Sequence, residues 1–535
     1  MRFPYAPSVL FSALSRRVRA FLRAEEGTML IFGLMMFVVM LMAGGLAVDV
    51  MRHEAERTRV QNTADRAALA AAALRQELEP EDVVRDYFER EGLTGNLDGI
   101  TVDAGLNFRN VGVTTRVSVG TYFMKLVGVD RLQSQSRSAA EERITNVEIV
   151  LVLDVTGSMG SNRRLENLKD AADEFVREIL EDDQDDRISV GIVPYNAQVN
   201  LGPTLFDQYN VTHRHGAANS YCVDNPASVF DAVTLSQIQP MPQAGHVDFG
   251  SASSSSNSYQ NPQGPVANNI VCQPFARNFI VPPTNDVTLL RNTIARFVAN
   301  GQTSIDKGMR WGVTLLDPAA RPIFEVLADA GEMPQTFANR PLAFNDPEVL
   351  KVIVLMTDGD HVSSWRLRDE VRSGPSGIYR SNRNNRYSIY HQRRGGSSRY
   401  WVPHLGSWQS SPFSDDGYVE LTWPEVWSSL RASWVARQLY ARAFGNSSSE
   451  YNAAMNSFRT SDSTTAMDNR LNILCTAAKA QNIMIFGIAF EAPSRGVTAI
   501  RNCASPGLFY DVNGLEISTA FRLIRSQISK LRLTQ

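Results

Sequence analysis

Soft metal ligands and thiol chemistry have little to draw on in this chain. It holds four cysteines in 535 residues, with none in a CxxC pair, so a zinc site is not expected. The seven histidines are scattered. No His or Cys nucleophile stands with a base at motif spacing, which argues against an enzyme. An excess of charge is lacking too. The formal net charge is −3, which excludes a chain-wide trap for nucleic acid. No strand succession of the outer-membrane barrel kind is present. The length itself points to about two to four structural units.

One long apolar run is present. Residues 28–48, TMLIFGLMMFVVMLMAGGLAV, carry no charged side chain. Such a stretch forms a helix of roughly 32 Å, enough to cross a bilayer. Arg2, Arg16, Arg17, Arg19 and Arg23 precede it, with no acid before Glu25. The positive-inside rule then makes residues 1–27 a cytoplasmic basic terminus and places everything after Asp49 outside. A cleaved signal peptide is the competing reading. The run is longer than a typical h-region and no A-x-A site follows, so a retained anchor is expected. Residues 49–78 have no Gly or Pro and should continue the helix outward as a stalk. Residues 79–145 read as a small α+β connector. All four cysteines fall after the span, where disulfides are permitted. Three pairings are possible. Shared segments favour Cys222 with Cys272 and Cys475 with Cys503, against four buried thiols.

From 147 the rhythm changes. VEIVLVLD (147–154), RISVGIVPY (187–195), LKVIVLMTD (350–358) and IMIFGIAF (483–490) are near-continuous apolar runs, as in strands buried on both faces. Helical patterns lie between and after them, ending with 514–533. The alternation predicts an α/β fold with a doubly wound, mostly parallel sheet of Rossmann-like type. Two long insertions interrupt it. Residues 197–285 are rich in Ser, Asn, Gln, Pro and Gly and hold Cys222 and Cys272. Residues 361–465 are rich in Arg and Trp, with six of the seven tryptophans between 365 and 434. That composition suits either a basic loop with a Trp-faced helix or a surface for a partner or glycan.

In open α/β sheets, ligands bind beyond the carboxyl ends of the strands. Three segments bring oxygen there: Asp154-x-Thr156-x-Ser158, Thr303, and Asp358. Two carboxylates and three hydroxyls form a hard-oxygen set, suited to Mg²⁺, Mn²⁺ or Ca²⁺. Each piece alone could be a helix cap or an ordinary turn. Asp360 is expected to be a solvated loop residue.

In that order the residues resemble the metal-ion-dependent adhesion site of a von Willebrand factor type A domain, with Thr156 in place of the middle serine. The resemblance implies that Asp154, Thr156, Ser158, Thr303 and Asp358 hold the metal, and that a partner's acidic group fills an open coordination position. It places the domain at 146–360 and 466–535. The N-terminal segment resembles TadG-like proteins of the tight-adherence (Flp pilus) apparatus. Glu26-Gly27, Val48-Asp49 and the run from Gln61 to Ala70 carry that likeness, and the C-terminal CASPGLFYDVNGLEISTAFRLIRSQISKLRL is similar to the end of the same group. The resemblance implies a single-pass protein of the bacterial inner membrane with its bulk in the periplasm. It would bind protein partners in pilus assembly or a related secretion apparatus. An adhesin for a host or matrix ligand is the alternative.

Overall fold

The character change near residue 145 is also a structural boundary. The computed structural model describes residues 18, 26–73, 78–104, 108–143, 146–181, 183, 186–246, 270–346, 348–414 and 417–534. They fall into two units, one ending at Ile144 and one beginning at Thr145. Arg2, Arg16, Arg17, Arg19 and Arg23 and the Ser-rich run at 250–264 lie outside the described residues.

In the first unit, one uninterrupted helix, α1 (Glu26–Ala72), has 47 residues. Its early part shows apolar side chains to the surroundings, Leu34, Phe37 and Met40 among them. It holds a window of mean hydropathy 2.5, apolar and long enough to cross a membrane. The later part does not project as a free stalk. Val60, Ala64, Ala67, Ala68 and Ala71 are buried against α2 (Pro80–Arg90) and an antiparallel sheet of β1 (Leu97–Ala104), β2 (Phe108–Gly120) and β3 (Arg131–Arg143). Small alanine side chains at helical spacing let the sheet approach the helix, so the expected stalk is the core of the connector.

The second unit is built on six strands: β4 (Asn146–Asp154), β5 (Ile188–Tyr195), β6 (Val281–Thr284), β7 (Val349–Thr357), β8 (Met484–Phe490) and β9 (Phe509–Val512). Their order is β9-β8-β7-β4-β5-β6. All neighbours pair in parallel except edge strand β6, which runs antiparallel to β5. Successive side chains of β4 point to opposite faces. Ile149, Leu151 and Leu153 therefore enter one core, with α3 (Arg164–Glu181), α4 (Val287–Ala295) and α8 (Glu516–Thr534). Val150 and Val152 enter the other, with α5 (Ile305–Thr314), α6 (Thr464–Ala480) and α7 (Ser494–Cys503). The chain as a whole is mixed α/β. Separate sheets of three and five strands and two of two strands accompany the six-stranded one, so a doubly wound parallel sheet describes only part of it.

Both insertions are tied down. Buried Arg310 of α5 donates to the carbonyls of Val229 (2.7 Å), Ala232 (2.6 Å) and Val233. Arg372 joins the insertions by donating to Asp224 at 2.8 Å. The second insertion has its own five-stranded antiparallel sheet, within Pro375–Thr422, and its own core. Trp401, Trp423, Trp427 and Trp434 are buried in that core. The Trp427 indole donates to Val371 O at 2.7 Å and that of Trp401 to Gln438 O at 2.9 Å. Trp365 and Trp408 are half-buried against that core, so the tryptophan richness is largely packing.

Two disulfides close the cysteine inventory, Cys222–Cys272 and Cys475–Cys503. The second joins α6 to α7 across 28 residues. Replacing both of its cysteines by alanine should cost about 2–4 kcal/mol, read as a lower urea midpoint. An unchanged midpoint would mean that packing alone holds the two helices.

Candidate functional site

The loops that leave the carboxyl ends of β4 and β7 meet the loop between α4 and α5, and backbone hydrogen bonds lace the three together. After β4, Gly157 N donates to Gly301 O at 3.0 Å, and Asn300 N donates back to Val155 O at 2.9 Å. A Cβ on Gly157 would stand 3.2 Å from Gly301 O, so glycine permits this approach. Gly301 itself has φ +83°. Val362 N donates to Thr303 O at 3.0 Å, which ties the loop after β7 to the second loop.

This lacing brings all five expected residues together. Asp154 is fully buried. Its Oδ1 accepts from Thr156 N at 2.8 Å, and its Oδ2 accepts from Thr357 Oγ1 at 2.7 Å and lies 3.4 Å from the Tyr195 hydroxyl. Ser158 Oγ donates to Asp358 Oδ1 at 2.6 Å and stands 3.0 Å from Thr156 Oγ1. Thr303 Oγ1 and Ser158 Oγ lie 3.6 and 3.7 Å from the point a Cβ on Gly359 would occupy. Thr156, Thr303 and Asp358 are buried, and Ser158 is exposed. The site therefore opens to solvent on the Ser158 side.

Four further residues shape it. Thr357 and Tyr195 hold Asp154 from below. Arg164, at the start of α3, donates through Nη1 to Asp358 Oδ2 at 3.0 Å and through Nε to Glu491 Oε2 at 2.8 Å. Of these, Thr357 and Tyr195 carry a local signal, since each ends an apolar strand run. Asp360 is not simply solvated: its Oδ1 accepts from Gly496 N at 2.5 Å, in the first turn of α7.

The electrostatics leave the pocket short of positive charge. Burial, and then the nearby Asp358 carboxylate, push the Asp154 carboxyl from 3.8 up to about 7. Burial raises Asp358 too, against the opposing hydrogen bonds from Ser158 and Arg164. The Tyr195 phenol is driven well above its usual value by burial and by Asp154. Carboxylate and hydroxyl oxygens around a charge-deficient pocket fit a hard divalent cation. Among the described residues no group of three or more His, Cys, Asp or Glu side chains could hold a metal ion, so any ion here depends on the hydroxyls. His361, beside the third loop, has both ring nitrogens engaged: Nδ1 with Asp468 Oδ1 at 2.6 Å, and Nε2 accepting from Asp306 N at 3.1 Å.

Residues 27–74 match the Tad family model, Flp pilus-assembly TadE/G-like. This is the segment whose motifs resemble TadG-like proteins. No curated protein sequence matches the chain. Among solved structures, the chain is similar to the vWF domain of the type V pili tip protein Mfa5 from Porphyromonas gingivalis. That likeness has 13% identity over 73% of this chain and 97% of the other, with a TM-score of 0.31. It is also similar to the pilus adhesin RrgA from Streptococcus pneumoniae, with 12% identity, 81% and 49% coverage and a TM-score of 0.28. A third likeness is to the adhesive tip pilin GBS104 from Group B Streptococcus agalactiae, with 12% identity, 71% and 99% coverage and a TM-score of 0.28. The chain spans about half the length of RrgA.

Proposed function

We propose that this protein is a membrane-anchored, cation-dependent protein-binding component of Flp (tight-adherence) pilus assembly or a related secretion apparatus, with a von Willebrand factor type A domain as its binding head. The observation that carries the binding head is the convergence of Asp154, Thr156, Ser158, Thr303 and Asp358 at the ends of the central strands, with Asp154 buried and its charge uncompensated. The family match at 27–74 supports the pilus setting. The apolar helix supports an anchor in the inner membrane, with the N-terminus cytoplasmic and the bulk of the chain periplasmic.

Those five residues would hold Mg²⁺, or Mn²⁺ or Ca²⁺ in its place. The cation would supply a Lewis-acidic position that a partner's carboxylate can occupy. The chain's own part is to orient: Thr357 and the Thr156 amide fix both oxygens of Asp154, and Ser158 and Arg164 fix those of Asp358. The reading is of binding and not catalysis. The histidine beside the site, His361, has no ring nitrogen left over to act as a general base.

Affinity capture from envelope extract tests this. The full-length protein should recover pilus components with Mg²⁺ and lose them with chelator. Asp154→Ala should recover none under either condition. Equal recovery by the variant, or equal recovery without metal, would remove the cation from the binding mechanism.

A further inference from the structure

The turn between β2 and β3 is an exposed apolar surface with no polar explanation. Tyr122 is 68% exposed, Leu126 77% and Val127 52%, and Phe123 and Val129 are also exposed. This tip is fastened to α1 at the end of its apolar run. Asp49, the first charged residue after that run, accepts three backbone hydrogen bonds from the tip: Tyr122 N (2.9 Å), Phe123 N (2.7 Å) and Met124 N (2.8 Å). One turn earlier, Gly45 is covered by the Phe123 ring, and a Cβ there would sit 2.3 Å from it. Gly45 lies inside the apolar run 28–48, roughly 6 Å along the helix from Asp49. Phe123 therefore touches the helix within the span itself.

The tip is also finished internally in the way a low-water setting demands. The amide N–H groups of Thr121, Leu126, Gly128 and Val129 donate to carbonyls of the same turn, and those of Tyr122, Phe123 and Met124 go to Asp49. With these seven of its nine backbone donors paired, the tip loses little on entering an interfacial region. Arg52 stacks on the Tyr122 ring at 4.3 Å, and Lys125 is exposed on the tip. Aromatics with flanking cations are the composition of a bilayer interface.

We propose that the β2–β3 tip, residues 121–129, is a second membrane contact. It inserts Tyr122, Phe123, Leu126 and Val127 into the lipid interface of the leaflet where α1 leaves the bilayer. Asp49 acts as the positioning residue. The contact would fix the angle at which the connector leaves the membrane, which a single helix cannot do. The occupant is lipid, because the tip is continuous with the apolar span and level with its last turn. This rests on the reading of residues 28–48 as a membrane span.

The test uses the full-length chain in phosphatidylethanolamine–phosphatidylglycerol vesicles. No native thiol is free, so Leu126→Cys carries a unique environment-sensitive fluorophore. Met36→Cys reports the span. Asp103→Cys, paired with Asn110 at the far end of β2, reports water. Position 126 should show blue-shifted emission, quenching by lipids labelled near the headgroup, and loss of quenching by aqueous iodide. Position 36 should be quenched only by deeply labelled lipid, and position 103 only by iodide. Adding Asp49→Ala should return iodide quenching to position 126. Iodide access at 126 with position 36 embedded overturns the proposal and leaves the span intact. Shielding of 126 from both iodide and lipid overturns it in favour of a second copy covering the tip. A span reporter quenched by iodide fails the span reading and the tip with it.

Discussion

Stripped of divalent cations, the full-length protein should lose stability as pH rises from about 4 to about 7, and Mg²⁺ should restore it at the upper end. The sign follows from Asp154. Its carboxyl is raised in the folded chain from 3.8 to about 7, by burial first and by Asp358 second. Between those values the folded chain holds a proton that the unfolded chain has released, so stability falls as pH climbs through the window. A displacement of this size corresponds to about 4 kcal/mol, an upper figure because Asp358 competes for the same proton. A bound cation reverses the preference, since it favours the ionised carboxylates. At about 100 times its Kd, Mg²⁺ should add about 2.7 kcal/mol near pH 7.5 and almost nothing near pH 5, where protons compete for Asp154.

Asp154→Asn separates this from a general salt effect. The amide keeps the acceptor for Thr156 N, and the Thr357 hydroxyl can turn toward Gly359 O, 3.3 Å away. With no charge to bury, the metal-free variant should be more stable than the metal-free wild type at pH 7.5, flat across the window, and indifferent to Mg²⁺. Denaturation midpoints at pH 5 and 7.5, with Mg²⁺ or chelator, decide it. A variant that gains as much from Mg²⁺ as the wild type would place the ion elsewhere.

That Asp154, Thr156, Ser158 and Asp358 would meet was legible because each follows a local signal, whereas Thr303 was placed by the order of the adhesion-site motif it resembles. An unbroken apolar run delivers Asp154 and Asp358 to strand ends, and alternate spacing puts two hydroxyls on one side of the first loop. Arg164 was not legible. It neutralises Asp358 from 194 positions away, and one more arginine at the start of an amphipathic helix carries no mark of that partner. The second insertion stayed open between packing and a surface for a related reason. Arg and Trp enrichment looks the same in a core as on a surface, and strands of three to seven residues are too short for alternation to show which face is buried. The alanine stripe of α1 gave its periodicity but not its cover, because the sheet that packs on it forms only from residues 97–143.

Lys351→Met should be among the most damaging substitutions in the second unit, at about 3–5 kcal/mol. Glu148 and Lys351 face each other across β4 and β7 as register partners. Both are almost wholly buried, and the ammonium donates to the carboxylate and to Leu316 O. Burial pulls Lys351 below its usual value, and the attraction of Glu148 opposes that pull. Methionine fills the space of the lysine stem but strands the carboxylate, which would keep only the Leu342 amide at 2.8 Å. Of the other cations close by, Arg321 donates through Nε to Pro341 O at 2.7 Å, and Arg340 sends its donors to Ser189 Oγ, Asn146 Oδ1 and the carbonyls of Val147, Asp186 and Arg187. Adding Glu148→Leu to Lys351→Met removes the stranded charge and should recover much of the loss, leaving about 1–3 kcal/mol for the Leu342 N–H and Leu316 carbonyl left without partners. Arg522→Ala is the contrast, because its partner Glu174 is 3.5 Å away in an exposed pair, and its cost should stay below about 1 kcal/mol. Urea unfolding of the four proteins measures all of this. If the single and double variants were equally destabilised, the stranded charge would not be the cause, and the loss would lie in how the lysine stem packs between β4 and β7.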